Sequence, residues 1–377
     1  LYGYWDQFTS FVRSLFNATF KTNPYLERAM MTGITRVSKE SVFSDLNNLN
    51  VITSTSLEYE TSFGFTEEEV FTALDNMGMS EQKEIVKSWY DGFVFGTEKD
   101  IYNPWSITNY LDKKQVRAYW ADTSSNSLIS RLIRKASAGI KEQMEELLQG
   151  KEIIVNFDEQ IVFEQLDQDE NAIWSLMLAS GYLKAEQVEY RGLLREPWYH
   201  LKITNLETTA MFTNLFKSWF NQSRTNYNQF IKALLQNDID AMNYYMNQIS
   251  MATFSYFDVD GVEGGKSEPE RFYHGFVLGL IAEQTDIYEI RSNRESGFGR
   301  YDVMMIPKKR DNCYPAVIIE FKVHNAIKEA NLEASVKAAK KQIEEKNYDA
   351  ELFARGFCKE EILHYGFAFE GKKVLIG

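Results

Sequence analysis

Apolar residues in the first 30 positions, as in WDQFTSFVRSLFNATF, recur at helical spacing, so the chain opens inside a predicted helix. Thr66 followed by Glu69 makes a capping box that starts a second helix, and Ser80 starts the next. Pro104 in YNPWSITNYL opens a fourth, since proline suits the first helical position. Helical periodicity returns from about 124 to 150. NAIWSLMLASGYLKAEQ and EPWYHLKITN then read as a helix followed by a two-stranded wing, the outline of a small winged-helix unit. Residues 207–250 are predicted to form two more helices. The loop DVDGVEGGKSEPE, rich in glycine and acid, marks the main domain boundary.

Behind that loop the pattern changes. A helix at about 269–284 is followed by strands at 287–293, 300–307 and 315–323, a long helix at 326–346 and a final hairpin in HYGFAFEGKKVLIG. This is an α/β domain of roughly 110 residues, a usual domain size. The third strand, in YPAVIIEFKVH, is apolar except for two charges. Side chains in a strand alternate faces. Val317, Ile319, Phe321 and Val323 therefore share one face, and Ala316, Ile318, Glu320 and Lys322 share the other. A hairpin about Asp311 would set Ile306 near Ala316, Pro307 near Pro315 and Asp302 opposite Glu320. Cross-strand partners face the same way, about 5 Å apart at Cβ, so Asp302, Glu320 and Lys322 are expected to converge.

A chain of 377 residues is too long for one ordinary core, which predicts two or three domains, helical first and α/β last. Two cysteines, Cys313 and Cys358, cannot build a disulfide framework and suit a reducing, cytoplasmic setting. No run of about 18 apolar residues suggests a membrane span, and no signal peptide is visible. Opening within a helix, the chain reads as a fragment or processed form. The net charge of −13 argues against a generic nucleic-acid coat. Residues 291–377, however, carry 16 Lys and Arg against 13 Asp and Glu, so this segment is +3 and the remainder −16. A mildly basic tail on an acidic body is compatible with local phosphate contacts.

Two carboxylates at cross-strand separation repel each other unless a proton or a cation sits between them. Mg²⁺ takes oxygen ligands at about 2.1 Å and keeps several waters. Asp302 and Glu320 suit it, with the Phe321 carbonyl as a further ligand. Lys322, one pleat along, can orient water or offset charge developing on a phosphate. The competing reading is a plain salt bridge between Lys322 and a carboxylate. The shared register of an Asp, a Glu and a Lys favours the metal site.

Asp302 followed by Glu320-Phe321-Lys322 resembles the PD-(D/E)XK nuclease motif, and Gln342 and Tyr348 in AAKKQIEEKNY resemble the Gln and Tyr of the helix that follows it in many members. FYHGFVLGL, SNRESGFGRYD, AVIIEFK and YGFAFEGKKV extend the resemblance over nearly all of 270–377, to the bacterial PD-(D/E)XK proteins fused behind an AAA-ATPase-like domain. TGITRVSKESVFSDLNNL, FGFTEEEV, WYDGFVFG, IYNPWSITNYL and YWADTSSNSLI resemble the C-terminal part of that ATPase-like domain. LKITNLE departs from the pattern, with Thr204 where a proline is expected.

The resemblance implies three parts: ATPase-like residues 1–130, a helical, winged-helix-like region 131–256, and a restriction-endonuclease-like domain 257–377 with a central mixed sheet. It implies a Mg²⁺- or Mn²⁺-dependent nuclease acting on nucleic acid, most naturally DNA, with Asp302, Glu320, Lys322 and Gln342 at the site. Glu270 on the first helix is the candidate further acid, with His274 one turn along. Glu295 approaches the metal in this scheme, and Arg300 contacts phosphate or holds Asp302. Each of these also reads as a surface, capping or loop residue. His324 reads as a strand-end residue. The rival reading is a non-catalytic nucleic-acid or protein-binding module regulated by the ATPase-like part. Oligomeric state is open.

Gly265-Lys266-Ser267 is not a P-loop, because the required glycine at 260 is Asp260. The Walker segments are expected before Leu1, so ATP belongs only to a longer protein, and Arg36 beside Thr32-Gly33 would be a nucleotide-sensing residue without its partner. Four histidines and two distant cysteines offer no zinc spacing. The aromatic runs WYDGFVFG and YNPWS are expected to pack in a core rather than stack on bases.

Overall fold

The computed structural model describes residues 3–21, 23–33, 49–121, 126–159, 169–220, 223–257, 267–296, 299–310, 314–325 and 329–377. The chain divides into two compact units, Leu1–Leu132 with Gly150–Met211, and Ile133–Gln149 with Phe212–Gly377. Arg36 and the stretch 258–266 lie outside the described residues.

The first unit begins with α1 (Trp5–Phe16), which continues as a π-helical turn (Asn17–Lys21). The expected helix to residue 30 stops short. Asn23 precedes Pro24, whose ring disfavours helical backbone before it, and the Asn23 side chain accepts from the Tyr25 N–H at 3.0 Å instead. β1 (Phe65–Thr66) leads into α2 (Glu67–Asn76), where Thr66 and Glu69 form the capping box reciprocally. Ser80 does not cap the next helix. It opens a 3₁₀ turn and donates its hydroxyl to Asp75 at 2.7 Å, and α3 (Lys83–Tyr90) follows.

β2 (Phe93–Phe95) and β3 (Glu98–Tyr102) complete a small sheet in the order β1-β3-β2. α4 (Pro104–Lys113) starts at its proline, capped by Asn103, which accepts from Trp105 N and Ser106 N. Val70, Leu74, Val86, Tyr90, Tyr102 and Ile107 form the core here. Tyr90 and Tyr102 are fully enclosed in it, whereas Trp105 is exposed.

The helical stretch expected from 124 to 150 is two helices, α5 (Ser127–Lys135) and α6 (Ala138–Leu148), and α6 belongs to the second unit. Returning to the first unit, β4 (Ile153–Val155), α7 (Ala172–Ala179), β5 (Leu183–Arg191) and β6 (Glu196–Ile203) supply the expected helix and hairpin. β4 adds a third strand, in the order β4-β6-β5. Thr204 donates both its N–H, to Tyr182 O, and its hydroxyl, to Gly181 O. A proline there would supply neither donor.

α8 (Leu206–Trp219) opens with Glu207, which is fully buried. One of its oxygens accepts from the backbone N–H groups of Tyr119, Trp120 and Ala121, and the other from the Ser106 hydroxyl at 2.8 Å. This carboxylate holds the 119–121 turn.

In the second unit, α9 (Arg224–Leu235) and α10 (Ile239–Phe257) follow, so the stretch expected as two helices forms three. Asn237, with φ at 57°, makes the break between α9 and α10, since asparagine tolerates the left-handed conformation that ends a helix. α11 (Ser267–Gln284) leads to β7 (Tyr288–Ser296), β8 (Gly299–Pro307) and β9 (Ala316–Val323). α12 (Leu332–Glu345) and the short α13 (Ala350–Ala354) precede β10 (Ile362–Glu370) and β11 (Lys373–Ile376).

The five strands form one mixed sheet, β11-β10-β9-β8-β7. β7, β8 and β9 run as an antiparallel meander, β10 lies parallel to β9 after the α12 crossover, and β11 turns back on β10. One face packs Met304, Ile306 and Ile318 against Ile343 and Tyr348. On β11, α10 pairs with the exposed sheet edge through side chains. Asn243 donates to Ile376 O and accepts from Ile376 N, both at 2.8 Å, and Asn247 does the same at Val374. Four residues on a helix match two on a strand closely enough for the two amides to act as an extra strand, closing an edge that would otherwise invite pairing.

Candidate active site

β9 is the central strand of the five, and six of its residues, Ala316 to Phe321, are buried. β8 pairs with it at Val303↔Ile319, Met304↔Ile318 and Met305↔Val317. Continued one step, this register sets Asp302 beside Glu320. It is the register that a hairpin about Asp311 requires, although residues 311–313 themselves lie outside the described set. Asp302 Oδ2 accepts from the Phe321 N–H at 2.6 Å, which ties the two strands together at the site.

α12 lies over this face. Its apolar stripe, Leu332, Val336, Ala339 and Ile343, is buried, and Gln342 borders it. The approach is close because β10 carries Gly366 opposite Glu320. A Cβ there would stand 2.7 Å from Val336 O and 3.0 Å from the Ala339 Cβ. With the helix this near, Gln342 reaches the strand. Its Oε1 accepts from Lys322 Nζ at 2.6 Å, and its Nε2 donates to Glu320 Oε1 and to the Tyr348 hydroxyl, the latter at 3.1 Å. Lys322 also lies 3.4 Å from Glu320 Oε1. Asp302, Glu320, Lys322, Gln342 and Tyr348 are thus brought together.

Glu320 is 2% exposed, and its Oε2 has no hydrogen-bond partner among the described residues. A buried oxygen of this kind costs free energy unless something else meets it. Burial pushes the Glu320 carboxyl up to about 8, with the negative charge of Asp302 adding to the effect and Lys322 opposing it. Burial likewise pushes Asp302 up to about 6, against the Phe321 N–H and the Lys322 charge. Both shifts disfavour two bare negative charges in one small space. A cation between the carboxylates would relieve them, and the donor set, all hard oxygen, fits a divalent ion such as Mg²⁺ or Mn²⁺.

His274, on α11, is buried, with Nδ1 3.4 Å from Glu145 Oε1 and Nε2 3.4 Å from Glu142 Oε1. Glu142 and Glu145 belong to α6 and were not marked by the sequence, where they look like ordinary acids of a polar helix. Glu270 lies on α11, and Glu295 and Arg300 pair across β7 and β8. The side chains of these three fall outside the described residues. Phe321 touches the site through its N–H, and its ring packs against Phe367 at 5.3 Å. His324 binds Ser335 Oγ at 2.9 Å and its N–H donates to Phe369 O, a strand-end role.

A separate acidic group, Glu67, Asp91 and Asp100, gathers in the first unit with ligand atoms within 4.8 Å of one another. Lys87 stands among them, paired to Glu67 and 3.8 Å from Asp100, and the Tyr102 hydroxyl donates to Glu67 at 3.2 Å. The ammonium already supplies a cation there.

Residues 268–377 match the family described as PD-(D/E)XK nuclease superfamily, which makes this segment a domain of that superfamily. A curated protein of Azotobacter chroococcum mcd 1, described as an uncharacterized protein in the vnfD 5' region, is 26% identical over 199 residues. The similarity covers 53% of this chain and 36% of that protein, so it spans about a third of the relative's length. No solved structure matches the chain. Among the described residues, no helix is long and apolar enough to cross a membrane.

Proposed function

We propose that the C-terminal unit is a nuclease that hydrolyses phosphodiester bonds of DNA with Mg²⁺ or Mn²⁺. The observation that carries this reading is Glu320 Oε2, buried beside Asp302 with no hydrogen-bond partner among the described residues. Asp302, Glu320 and the Phe321 carbonyl would hold the ion. Such an ion supplies Lewis acidity and lowers the pKa of a water. Lys322 sets its ammonium beside the carboxylates, where it offsets negative charge on a phosphate. Gln342 holds Lys322 and Glu320 in fixed relation, and Tyr348 holds Gln342. Glu270, Glu295 and Arg300 take supporting places by the family resemblance alone, Arg300 toward phosphate. The +3 charge of residues 291–377 suits that substrate. Residues 1–130 are assigned, on motif resemblance, to the C-terminal part of an AAA-ATPase-like domain, and 131–256 to a winged-helix-like region. No ATP chemistry is assigned to this chain.

Plasmid cleavage with Mg²⁺ or Mn²⁺ tests the reading. Asp302→Ala and Lys322→Ala are each expected to lower the rate by about a hundredfold or more, the scale on which metal-site and charge-stabilising groups act. Equal cleavage by all three proteins would overturn it.

A further inference from the structure

His324 follows the last residue of β9, and its N–H carries the ladder one step further, to Phe369 O at 2.8 Å. Its side chain does something the ladder does not need. Residues two apart in a strand share a face, so His324 lies on the face of Glu320 and Lys322, roughly 6.6 Å beyond Lys322 along the chain. α12 bears out the placement: Gln342 bonds Lys322, and Ser335, two turns earlier on the same helix, bonds His324. Ser335 Oγ gives its one proton to Glu329 Oε2 at 2.6 Å, so it accepts from the ring at 2.9 Å, which puts a proton on Nδ1. Glu329 also accepts from the Asn325 N–H at 3.1 Å, and the Ser335 hydroxyl and this N–H hold its carboxyl below its ordinary value. Among the described residues Nε2 has no hydrogen-bond partner, and it is not, like Glu320 Oε2, a buried polar atom left unmet. It therefore reaches the surface, where the side chain keeps 8% exposure. A strand end needs no serine and carboxylate to fix the tautomer of a ring whose other nitrogen faces outward.

We propose that His324 is a further substrate contact of the nuclease site, where Nε2 meets a backbone phosphate beside the one at Lys322, and Ser335 and Glu329 are positioning residues behind it. This rests on the nuclease reading above. Because Nδ1–H is committed to Ser335, only the protonated ring has a donor to offer at Nε2, and Glu329 supplies the opposite charge on its far side. Lys322 and His324 then form a short cationic row along β9. Such a row fits a nucleic-acid strand running past the two carboxylates rather than a lone phosphate ester.

Binding of a short DNA duplex to the full chain without divalent metal, followed by fluorescence anisotropy over a range of salt, tests the idea. The pH is held at about 5.5, where an ordinary imidazole is charged. His324→Asn keeps an N–H where Nδ1 stands and has nothing at Nε2. It is expected to bind about tenfold more weakly, with the slope of log affinity against log salt reduced by about 1 and the urea unfolding midpoint unchanged. His324→Gln sets its amide near Nε2 and gives up the bond to Ser335. It is expected to bind better than His324→Asn while unfolding earlier. If His324 only fixes the strand end, His324→Asn binds with the affinity and salt slope of wild type, and the inference is overturned. Plasmid cleavage with Mg²⁺ or Mn²⁺ separates this from the reading it rests on. Should wild type cut while His324→Asn keeps full affinity and slope, only the His324 contact is lost. A wild type that binds through His324 without cutting keeps the contact and overturns the nuclease reading, and one that neither binds nor cuts overturns both.

Discussion

The first unit buries the Glu207 carboxylate almost completely and the second buries Glu320, and the two are treated in opposite ways. Glu207 takes three backbone N–H groups and a hydroxyl, so both of its oxygens are met by the protein. Among the described residues, Glu320 has hydrogen-bond donors on one oxygen only. Burial raises both pKa values, yet the four donors around Glu207 pull it back, whereas Glu320 has Asp302 pushing the same way as burial. A fully met buried acid is a structural clasp. One that is half met is a place where chemistry can be done, because the remaining oxygen is left for something from outside.

The largest expected effect breaks the clasp. Glu207→Ala leaves three N–H groups of the 119–121 turn buried without an acceptor and is expected to cost about 4 kcal/mol of stability. Urea unfolding would show it. An isosteric change at the other acid has the reverse signature. Glu320→Gln keeps the shape, replaces a carboxyl that the folded metal-free chain holds protonated to about pH 8, and is expected to leave stability unchanged or raise it by about 1 kcal/mol. It is also expected to reduce cleavage and Mn²⁺ binding by about a hundredfold or more. A Glu320→Gln protein that unfolds early but cuts normally would turn the contrast around.

The two acids also differed in how visible they were in the sequence. Glu320 was legible because a strand has a strict period of two, and a hairpin about Asp311 leaves one register in which Asp302 faces it. The α12 stripe was legible for the same kind of reason, at the helical period. Glu207 was not. Three of its four partners are backbone groups of residues 119–121, which carry no side-chain signature and lie some 87 residues away, and the fourth, the Ser106 hydroxyl, is 101 residues away. Glu142 and Glu145 were invisible too, since their meaning comes from His274 and Ser292, brought to them by tertiary packing. The miscounted helices at 206–257 turn on Asn237, whose left-handed backbone ends one helix without a glycine or proline to announce it.

A pH titration sharpens the contrast. Asp302 and Glu320 have folded pKa values of about 6 and about 8, above their ordinary 3.8 and 4.5. Between about pH 4 and pH 8 the folded chain therefore keeps protons that the unfolded chain has released. Stability associated with this pair is fully present below the ordinary carboxylate range and is lost as the pH rises through 6 and 8. In metal-free buffer the slope is expected to approach ~1.4 kcal/mol per pH unit for each proton involved. Mn²⁺ should flatten it, because the ion replaces the protons. Glu320→Gln should flatten it without metal, and Glu207→Gln should do so less. Identical slopes in wild type and Glu320→Gln would show that Glu320 is not the group being titrated.

The smallest effect probes why Glu320 is met on one oxygen and not the other. Gln342 reaches Oε1 only because Gly366 lets α12 lie close to the sheet. Gly366→Ala places a methyl 2.7 Å from Val336 O, a contact with backbone that no side-chain rotation relieves. The helix must shift by some tenths of an ångström, at an expected cost of about 1–2 kcal/mol. Gln342 moves with it, and Lys322 and Glu320 lose their common partner. Cleavage should then fall several-fold, with a smaller change in Mn²⁺ affinity, because Asp302 and Glu320 stay on strands that the helix does not carry. Gln342→Ala, which removes the amide without moving the helix, should give the same loss of cleavage at little cost in stability. If Gly366→Ala lost activity and Gln342→Ala kept it, the spacing of the helix would matter for some reason other than the amide, and the half-met state of Glu320 would not depend on Gln342.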